Sequence, residues 1–209
     1  MGRDAFLHDS YDIADTSAYL ARMRDLLDVR MADHPRRHTH SLGVARTARQ
    51  LAETYGVDTF LAEAAGLTHD WDKVLTDDEL LARAVQYNLP VVGSAANAVA
   101  VLHGPVAAVE LPNLFKELPA SVFQAVARHT SAAVDMSPLD MVVFIADAIE
   151  PQRKGDYAEA LREQVGKVSL ERLFFSCFSQ GIVYVISTGR YLYPTALDIY
   201  NRYALECAR

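Results

Sequence analysis

LAEAAGLTHD, residues 61–70, is the stretch on which the reading of this chain turns. Its Leu-Ala-Glu-Ala-Ala composition favours helix, and Asp58 stands where it can cap that helix. Leu61, Ala65 and His69 recur every four residues, so His69 joins the apolar face and Asp70 the face beside it. A histidine and a carboxylate together on an inward helix face are candidate metal ligands. The chain supplies more of them: His40 precedes the pair, and His103, His129 and Asp147 follow it, all within largely apolar helical segments. An imidazole gives one neutral nitrogen to a divalent cation and a carboxylate can bridge two, so this set suffices for a dinuclear site. The residues point to metal-assisted hydrolysis.

Outward from that stretch the patterns are helical throughout. Tyr19, Met23, Leu26, Leu27 and Arg30 recur at helical spacing, and His34-Pro35 marks a break and a new start. His40, Val44, Ala48 and Leu51 then share one face before Gly56 ends the helix, so His40 faces the core. His38 is rotated off that face, and no role is assigned to it, to His8 or to His34. Thr76 with Glu79 forms a capping-box pattern for an exposed amphipathic helix reaching about Asn88. Pro105 suits the first turn of a short helix to about Glu110, with His103 at its entrance. Pro119 begins a helix that carries His129 and Thr130 near its end, and Ser137-Pro138 launches another that stops at Pro151. Ser169 starts a long helix to Ser187, and Pro194 a last one. No segment alternates as a strand, and no repeat is present. The expected fold is an all-α bundle with the metal site at its centre, built from facing helices. Residues 1–16 read as a loose lead-in and 17–209 as a single domain. Its metal-binding core spans about 36–153, and the C-terminal helices, 169–206, pack on it.

Composition sets the outer bounds. A chain of 209 residues, 51% apolar and 22% charged, is a soluble globular protein able to bury a sizeable core. The apolar stretches at 141–149 and 173–186 are too short or too interrupted to span a membrane, and no secretory h-region opens the chain, so a cytoplasmic protein is expected. A net charge of −7 argues against nucleic acid as a partner, and a phosphorylated substrate would need a local cluster of cations. The two cysteines, Cys177 and Cys207, make neither a disulfide framework nor a zinc-ribbon spacing, which leaves nitrogen and oxygen ligands for any metal.

Each candidate has an ordinary alternative. A lone histidine on an apolar face is commonly a hydrogen-bonded core residue, and His103 and His129, at helix ends, could serve as caps. Asp147 lies in Met-Val-Val-Phe-Ile-Ala-Asp-Ala-Ile, where an unpaired carboxylate costs several kcal/mol, so it calls for a metal or for an Arg or Lys partner.

The ordered set His40, His69-Asp70, Asp147 resembles the HD superfamily of metal-dependent phosphohydrolases, and the added His103 and His129 resemble its dinuclear branch. A closer resemblance is to the bacterial YqeK-like subfamily. It rests on Arg37-xx-His40-xx-Gly43-Val44, Gly66-xx-His69-Asp70-xx-Lys73, Leu102-His103-Gly104-Pro105-Val106 and Arg128-His129-Thr130. It rests also on Asp147-xx-Glu150-Pro151-x-Arg153, and on Pro194-Thr195 with Tyr200-Asn201. The chain departs from that pattern at Trp71-Asp72, across 131–136 and in the segment before Thr16.

The resemblance implies symmetrical hydrolysis of diadenosine tetraphosphate to two ADP by a di-iron centre; manganese, cobalt and zinc suit the same ligands. In that scheme Asp70 bridges two cations, His40, His69 and Asp147 complete one, and His103 and His129 the other. Lys73 would stabilise charge on the phosphate, with a surface pair to Asp77 as its alternative. Arg37, Arg128, Arg153 and Lys154 would grip the polyphosphate, and Thr130 could hydrogen-bond it; bridges to Glu150 or another acid are the alternative for Arg37 and Arg153. Two further readings stay open: a phosphohydrolase of this superfamily acting on a nucleoside monophosphate, a deoxynucleoside triphosphate or guanosine tetraphosphate, and a non-catalytic metal- or nucleotide-binding module. The aromatic residues Phe174, Phe175, Phe178, Tyr184 and Tyr191 either cover the core or form a homodimer face.

Overall fold

The structure, a computed structural model, describes residues 10–207. Most of the expected lead-in lies outside these residues; positions 10–15 are non-helical. The elements are α1 (Thr16–Arg30), α2 (Pro35–Tyr55), α3 (Thr59–Thr68), α4 (Asp77–Gln86), α5 (Ala95–Ala98) and α6 (His103–Glu110). They continue with α7 (Ala120–Arg128), α8 (Pro138–Ile149), α9 (Asp156–Arg162), α10 (Leu170–Ser187) and α11 (Ala196–Cys207). Short 3-10 turns occupy Val99–Val101 and Leu111–Asn113, and no strand occurs among the described residues.

Local chemistry explains where most helices start. Side chains accept hydrogen bonds from orphan backbone N–H groups at Asp15, Asp58, Ser94 and Ser169. Thr76 with Glu79, and Ser137 with Asp140, form complete capping boxes at α4 and α8. Gly56, at φ 72°, ends α2 in a conformation that costs glycine nothing. Two expected boundaries move. α3 ends at Thr68, so His69, Asp70 and Lys73 sit on successive turns at 69–75 instead of on a continuing helix. α11 starts at Ala196, after a turn at Pro194, whereas α6 runs from His103 to Glu110 with Pro105 in its first turn, as expected.

The helices carrying the candidate ligands pack closely on one another. At Gly66 in α3 an added Cβ would lie 2.7 Å from the Ala45 Cα of α2, a backbone clash that only glycine avoids. Gly104 in α6 plays the same part against α7, where a Cβ would meet the Val126 carbonyl oxygen at 2.6 Å. The core around them is continuous and includes the fully buried Met23, Leu27, Leu67, Phe115, Val142 and Ile145. On the other side of α8, Phe174 of α10 meets Phe144 at 5.2 Å and Tyr203 of α11 at 4.8 Å between ring centroids. The aromatic stripe of α10 is therefore divided: Phe174 and Phe178 cover the core, whereas Val183, Tyr184 and Ile186 are exposed. No described helix is long and apolar enough to cross a membrane.

Candidate metal centre

Five elements deliver the six residues singled out in the sequence. His40 lies in α2, His69 and Asp70 directly follow α3, His103 opens α6, His129 directly follows α7, and Asp147 stands in the last turn of α8. All four imidazoles are anchored by Nδ1. His69 turns it to the Gly66 carbonyl at 2.8 Å, His103 to Ala100 at 3.1 Å and His129 to Val126 at 2.7 Å, in each case the residue three positions earlier. His40 turns its Nδ1 to the Glu150 carboxylate at 3.0 Å. An acceptor at Nδ1 selects the tautomer protonated there and leaves Nε2 with a free lone pair.

These lone pairs converge. His40 Nε2 is 3.3 Å from His69 Nε2 and 3.0 Å from Asp147 Oδ1; His103 Nε2 is 3.0 Å from His129 Nε2. Asp70 stands between the two sets. Its Oδ1 lies 3.1 Å from His103 and 3.7 Å from His129, and its Oδ2 lies 3.8 Å from His69 and 4.0 Å from His40. Bare imidazole nitrogens and carboxylate oxygens at such distances repel unless cations lie among them. Ligand atoms of His40, His69 and Asp147, and of His69, Asp70 and His129, fall within 4.8 Å of one another in each group. This donor set fits divalent metal ions with nitrogen and oxygen preferences, and it contains no thiolate.

The electrostatics favour the ligating protonation states at His69, His103, Asp70 and Asp147. Burial pushes the His69 and His103 imidazoles down to about 4, so both are neutral near pH 7. Burial pushes Asp70 up, but the imidazoles of His69, His103 and His129 around it outweigh burial and hold the carboxyl well below its ordinary range. Asp147 is also held far down: burial opposes ionisation, and His40, His69 and Arg153 overcome it. His40 moves the other way, raised despite burial because Asp147 and Glu150 flank its ring. Burial lowers the Lys73 ammonium, which donates to the Ala100 carbonyl at 3.1 Å and lies 3.2 Å from His103 Nδ1.

A cleft of about 760 Å³ opens over this cluster. Arg37, Lys73, Thr130 and Arg153 line it. Arg37 donates to Asp70 Oδ2 at 2.7 Å; Arg153 donates to the Asp147 carboxylate and, through Nε, to the Asp147 carbonyl at 2.8 Å. Thr130 Oγ1 is 2.9 Å from His129 Nε2. The acid beside each arginine is thus Asp70 or Asp147, not Glu150, and Lys73 points to Ala100 rather than to Asp77.

Arg128 does not join them. It precedes His129 by one residue and is therefore rotated about 100° away, and it binds the buried Asp140 at 2.9 Å and Asp135 at 3.1 Å. Lys154 is exposed and does not line the cleft either. Several residues outside the expected site do belong to its surroundings: Glu150, behind His40, and, on the cleft wall, Arg36 and also His34, a histidine to which the sequence reading assigns no role. The signal for Glu150 was its place three residues after Asp147, one helical turn along the same face.

Comparison with known proteins gives the same grouping. A family model for the HD domain matches residues 37–152. A protein of Halalkalibacterium halodurans named symmetrical bis(5'-nucleosyl)-tetraphosphatase is 30% identical over 81% of this chain and 90% of its own length. A protein of the same name from Staphylococcus aureus is 30% identical over 80% of this chain and 87% of its own length. A crystal structure described as a predicted HD superfamily hydrolase involved in NAD metabolism, from Clostridium acetobutylicum, superposes with a TM-score of 0.81. It is 27% identical, with 89% of this chain and 97% of that one covered. The paired histidines, the aspartates between them and the helices that carry them thus make this chain a member of the HD domain family, a phosphohydrolase.

Proposed function

We propose that the chain hydrolyses diadenosine tetraphosphate symmetrically to two ADP, with two divalent cations, iron first among them, held by His40, His69, Asp70, His103, His129 and Asp147. The observation that carries this is the convergence of four Nε2 lone pairs on the two oxygens of one carboxylate. When bound, such cations supply an activated water and neutralise charge on a phosphoryl oxygen. The rest belongs to the chain. Asp70, with one oxygen toward each histidine pair, spans the two halves of the site. Glu150 and the three carbonyls fix the ring tautomers. Arg37 and Arg153 on the cleft wall offer guanidinium forks to the polyphosphate, and Thr130 offers a hydroxyl. Lys73 stands over His103 with a cation to set against charge on the departing phosphate. Water oxygen bonds to one inner phosphorus, the central anhydride bond breaks, and its oxygen leaves as the terminal phosphate oxygen of the second ADP.

The reading extends to pairing of two copies through the outer end of α10 and α11. Val183, Ile186 and Leu197 are exposed there, and residues 173–197 carry one charge, Arg190, in a chain of net charge −7. Two copies meet with least repulsion on that face. Ile186→Glu is expected to convert a dimer to a monomer in size-exclusion chromatography with light scattering.

The test of activity is anaerobic incubation with ferrous ion and diadenosine tetraphosphate, with products separated by anion exchange beside an Asp70→Ala control. ADP as the single product, lost in the variant while the far-UV helical signal persists, supports the proposal. Metal binding without cleavage moves the substrate to another nucleotide, and undiminished turnover by Asp70→Ala refutes the dinuclear scheme.

A further inference from the structure

The HD match ends at residue 152, but the turn that carries Glu150 and Arg153 is not held by the matched segment alone. α8 ends at Ile149, and Glu150 leaves the helical region with φ −57° and ψ 158°, so the carbonyls of this turn lack helical partners; the Glu150 carbonyl keeps one turn bond, from the Arg153 N–H at 2.9 Å. Arg162, the last residue of α9, supplies the rest. Its Nε donates to the Ile149 carbonyl at 2.9 Å, and its NH2 donates to Glu150 at 2.8 Å and to Arg153 at 2.7 Å. No other side chain among the described residues donates to these three carbonyls. One planar guanidinium therefore fixes the turn from which two side chains reach the centre. Glu150 accepts from His40 Nδ1 at 3.0 Å and, on its other oxygen, from the Gln152 N–H at 2.8 Å. Arg153 grips both the carboxylate and the carbonyl of Asp147.

We infer that Arg162 is a positioning residue for the metal centre, acting through Glu150 on His40 and through Arg153 on Asp147. α9, outside the residues that the HD family model matches, is thereby part of the working site. The fork is what the geometry demands: three acceptors are served in one plane, which a lysine ammonium cannot reproduce. The inference rests on the proposed metal-dependent hydrolysis, so its test begins with metal alone.

Cobalt(II) is titrated into the metal-free full chain by calorimetry and visible absorbance, for wild type, Arg162→Ala, Arg162→Lys and Leu161→Ala. Leu161 is the buried neighbour of Arg162 on α9, and its truncation loosens that helix against the core while keeping the carbonyl ties. Arg162→Ala is expected to weaken cobalt binding about 10-fold or more, the usual effect of losing an outer support of a metal ligand, with its far-UV signal retained. Arg162→Lys should recover part of the loss, and Leu161→Ala should lower the thermal midpoint while cobalt affinity holds. In turnover the Arg162→Ala defect should fall on kcat and KM together, because both a ligand and a phosphate grip are displaced. If Arg162→Ala does not fold, Arg162→Gln, which keeps one donor group, carries the comparison. Wild-type affinity in the Arg162 variant overturns the inference while the metal site stands. Equal losses in the Arg162 and Leu161 variants reduce Arg162 to a structural strut and overturn it too. A wild-type chain that binds no cobalt, ferrous or manganous ion overturns the proposed function and the inference with it.

Discussion

Glu150→Gln separates a ligand's support from its chemistry with a change of one atom. Glu150 is 1% exposed, and both carboxylate oxygens accept: Oε1 from His40 Nδ1 at 3.0 Å and Oε2 from the Gln152 N–H at 2.8 Å. An amide has one acceptor and one donor end. With the NH2 toward His40, the ring must present a bare Nδ1 and carry its proton on Nε2, where a cation would bind. With the NH2 toward residue 152, two N–H donors oppose each other and the part-buried Gln152 N–H loses its partner, at about 1 kcal/mol. The carboxylate is seated against the bare Cα of Gly43, where a built Cβ would lie 2.6 Å from Oε2. Either outcome is expected to weaken metal binding by about 10- to 100-fold, or about 1.4–2.7 kcal/mol, the effect typical of an outer partner of a ligating histidine. Calorimetric titration of the metal-free protein with cobalt(II) reads this directly, and denaturant unfolding without metal gives the structural share. Affinity within twofold of wild type, in a folded variant, would refute the argument that Glu150 sets the His40 tautomer.

Stability of the metal-free protein should rise between pH 4 and pH 6.5. His69 and His103, pushed to about 4, stay neutral when folded, whereas the unfolded chain takes up protons near its ordinary value of 6.5. Each contributes about 3 kcal/mol to that slope, opposed in part by Asp72, which burial raises to about 6 and whose effect runs the other way. Urea midpoints at several pH values check the sign, and a flat or falling profile across that window contradicts it. Arg128→Ala should cost about 3–5 kcal/mol, because it strips the charged partner from the fully buried Asp140, with KM unaltered. Arg37→Ala should raise KM for the nucleotide several-fold and cost less stability than Arg128→Ala, because the buried Asp70 it leaves is also flanked by imidazoles; steady-state kinetics beside thermal melts distinguish the two arginines. Gly66→Ala, whose Cβ would press on the Ala45 backbone at 2.7 Å, should destabilise by about 1–3 kcal/mol and weaken cobalt binding by displacing His69 from His40.

Much of the fold was legible because its signals are local. Asp58, Thr76 with Glu79, Ser137 with Pro138 and Ser169 each mark a helix start by a hydrogen bond made within three residues, and the structure keeps every one. The misplaced boundaries have a different cause. Composition carries α3 on through His69, but the chain turns at that point, so that His69 Nδ1 meets the Gly66 carbonyl and Asp70 faces the four imidazoles. A continuous helix would hold Asp70 to one side, and the turn is set by the site's geometry rather than by propensity.

The candidate site divides in the same way. The histidines and aspartates could be gathered from sequence because their residue type limits what they can do in an apolar setting: each needs a partner, and they need one another. Arginines carry no such limit. Arg37, Arg128 and Arg153 look alike in sequence, each within six residues of a candidate ligand, and each is paired with an acid in the structure. What separates them is angular phase. Arg37 and Arg153 lie about one turn from His40 and beyond Asp147, on faces that open to the cleft, whereas Arg128 adjoins His129 and is turned onto α8, where Asp140 waits. That phase depends on how α7 is rotated against α8, a property of the packed pair that neither segment encodes alone. The same holds for Arg162, whose three acceptors lie 9 to 13 residues away around a bend. Sequence spacing can therefore name candidate ligands for such a centre, while the arginines that hold those side chains in place emerge only once the helices have chosen their mutual rotation.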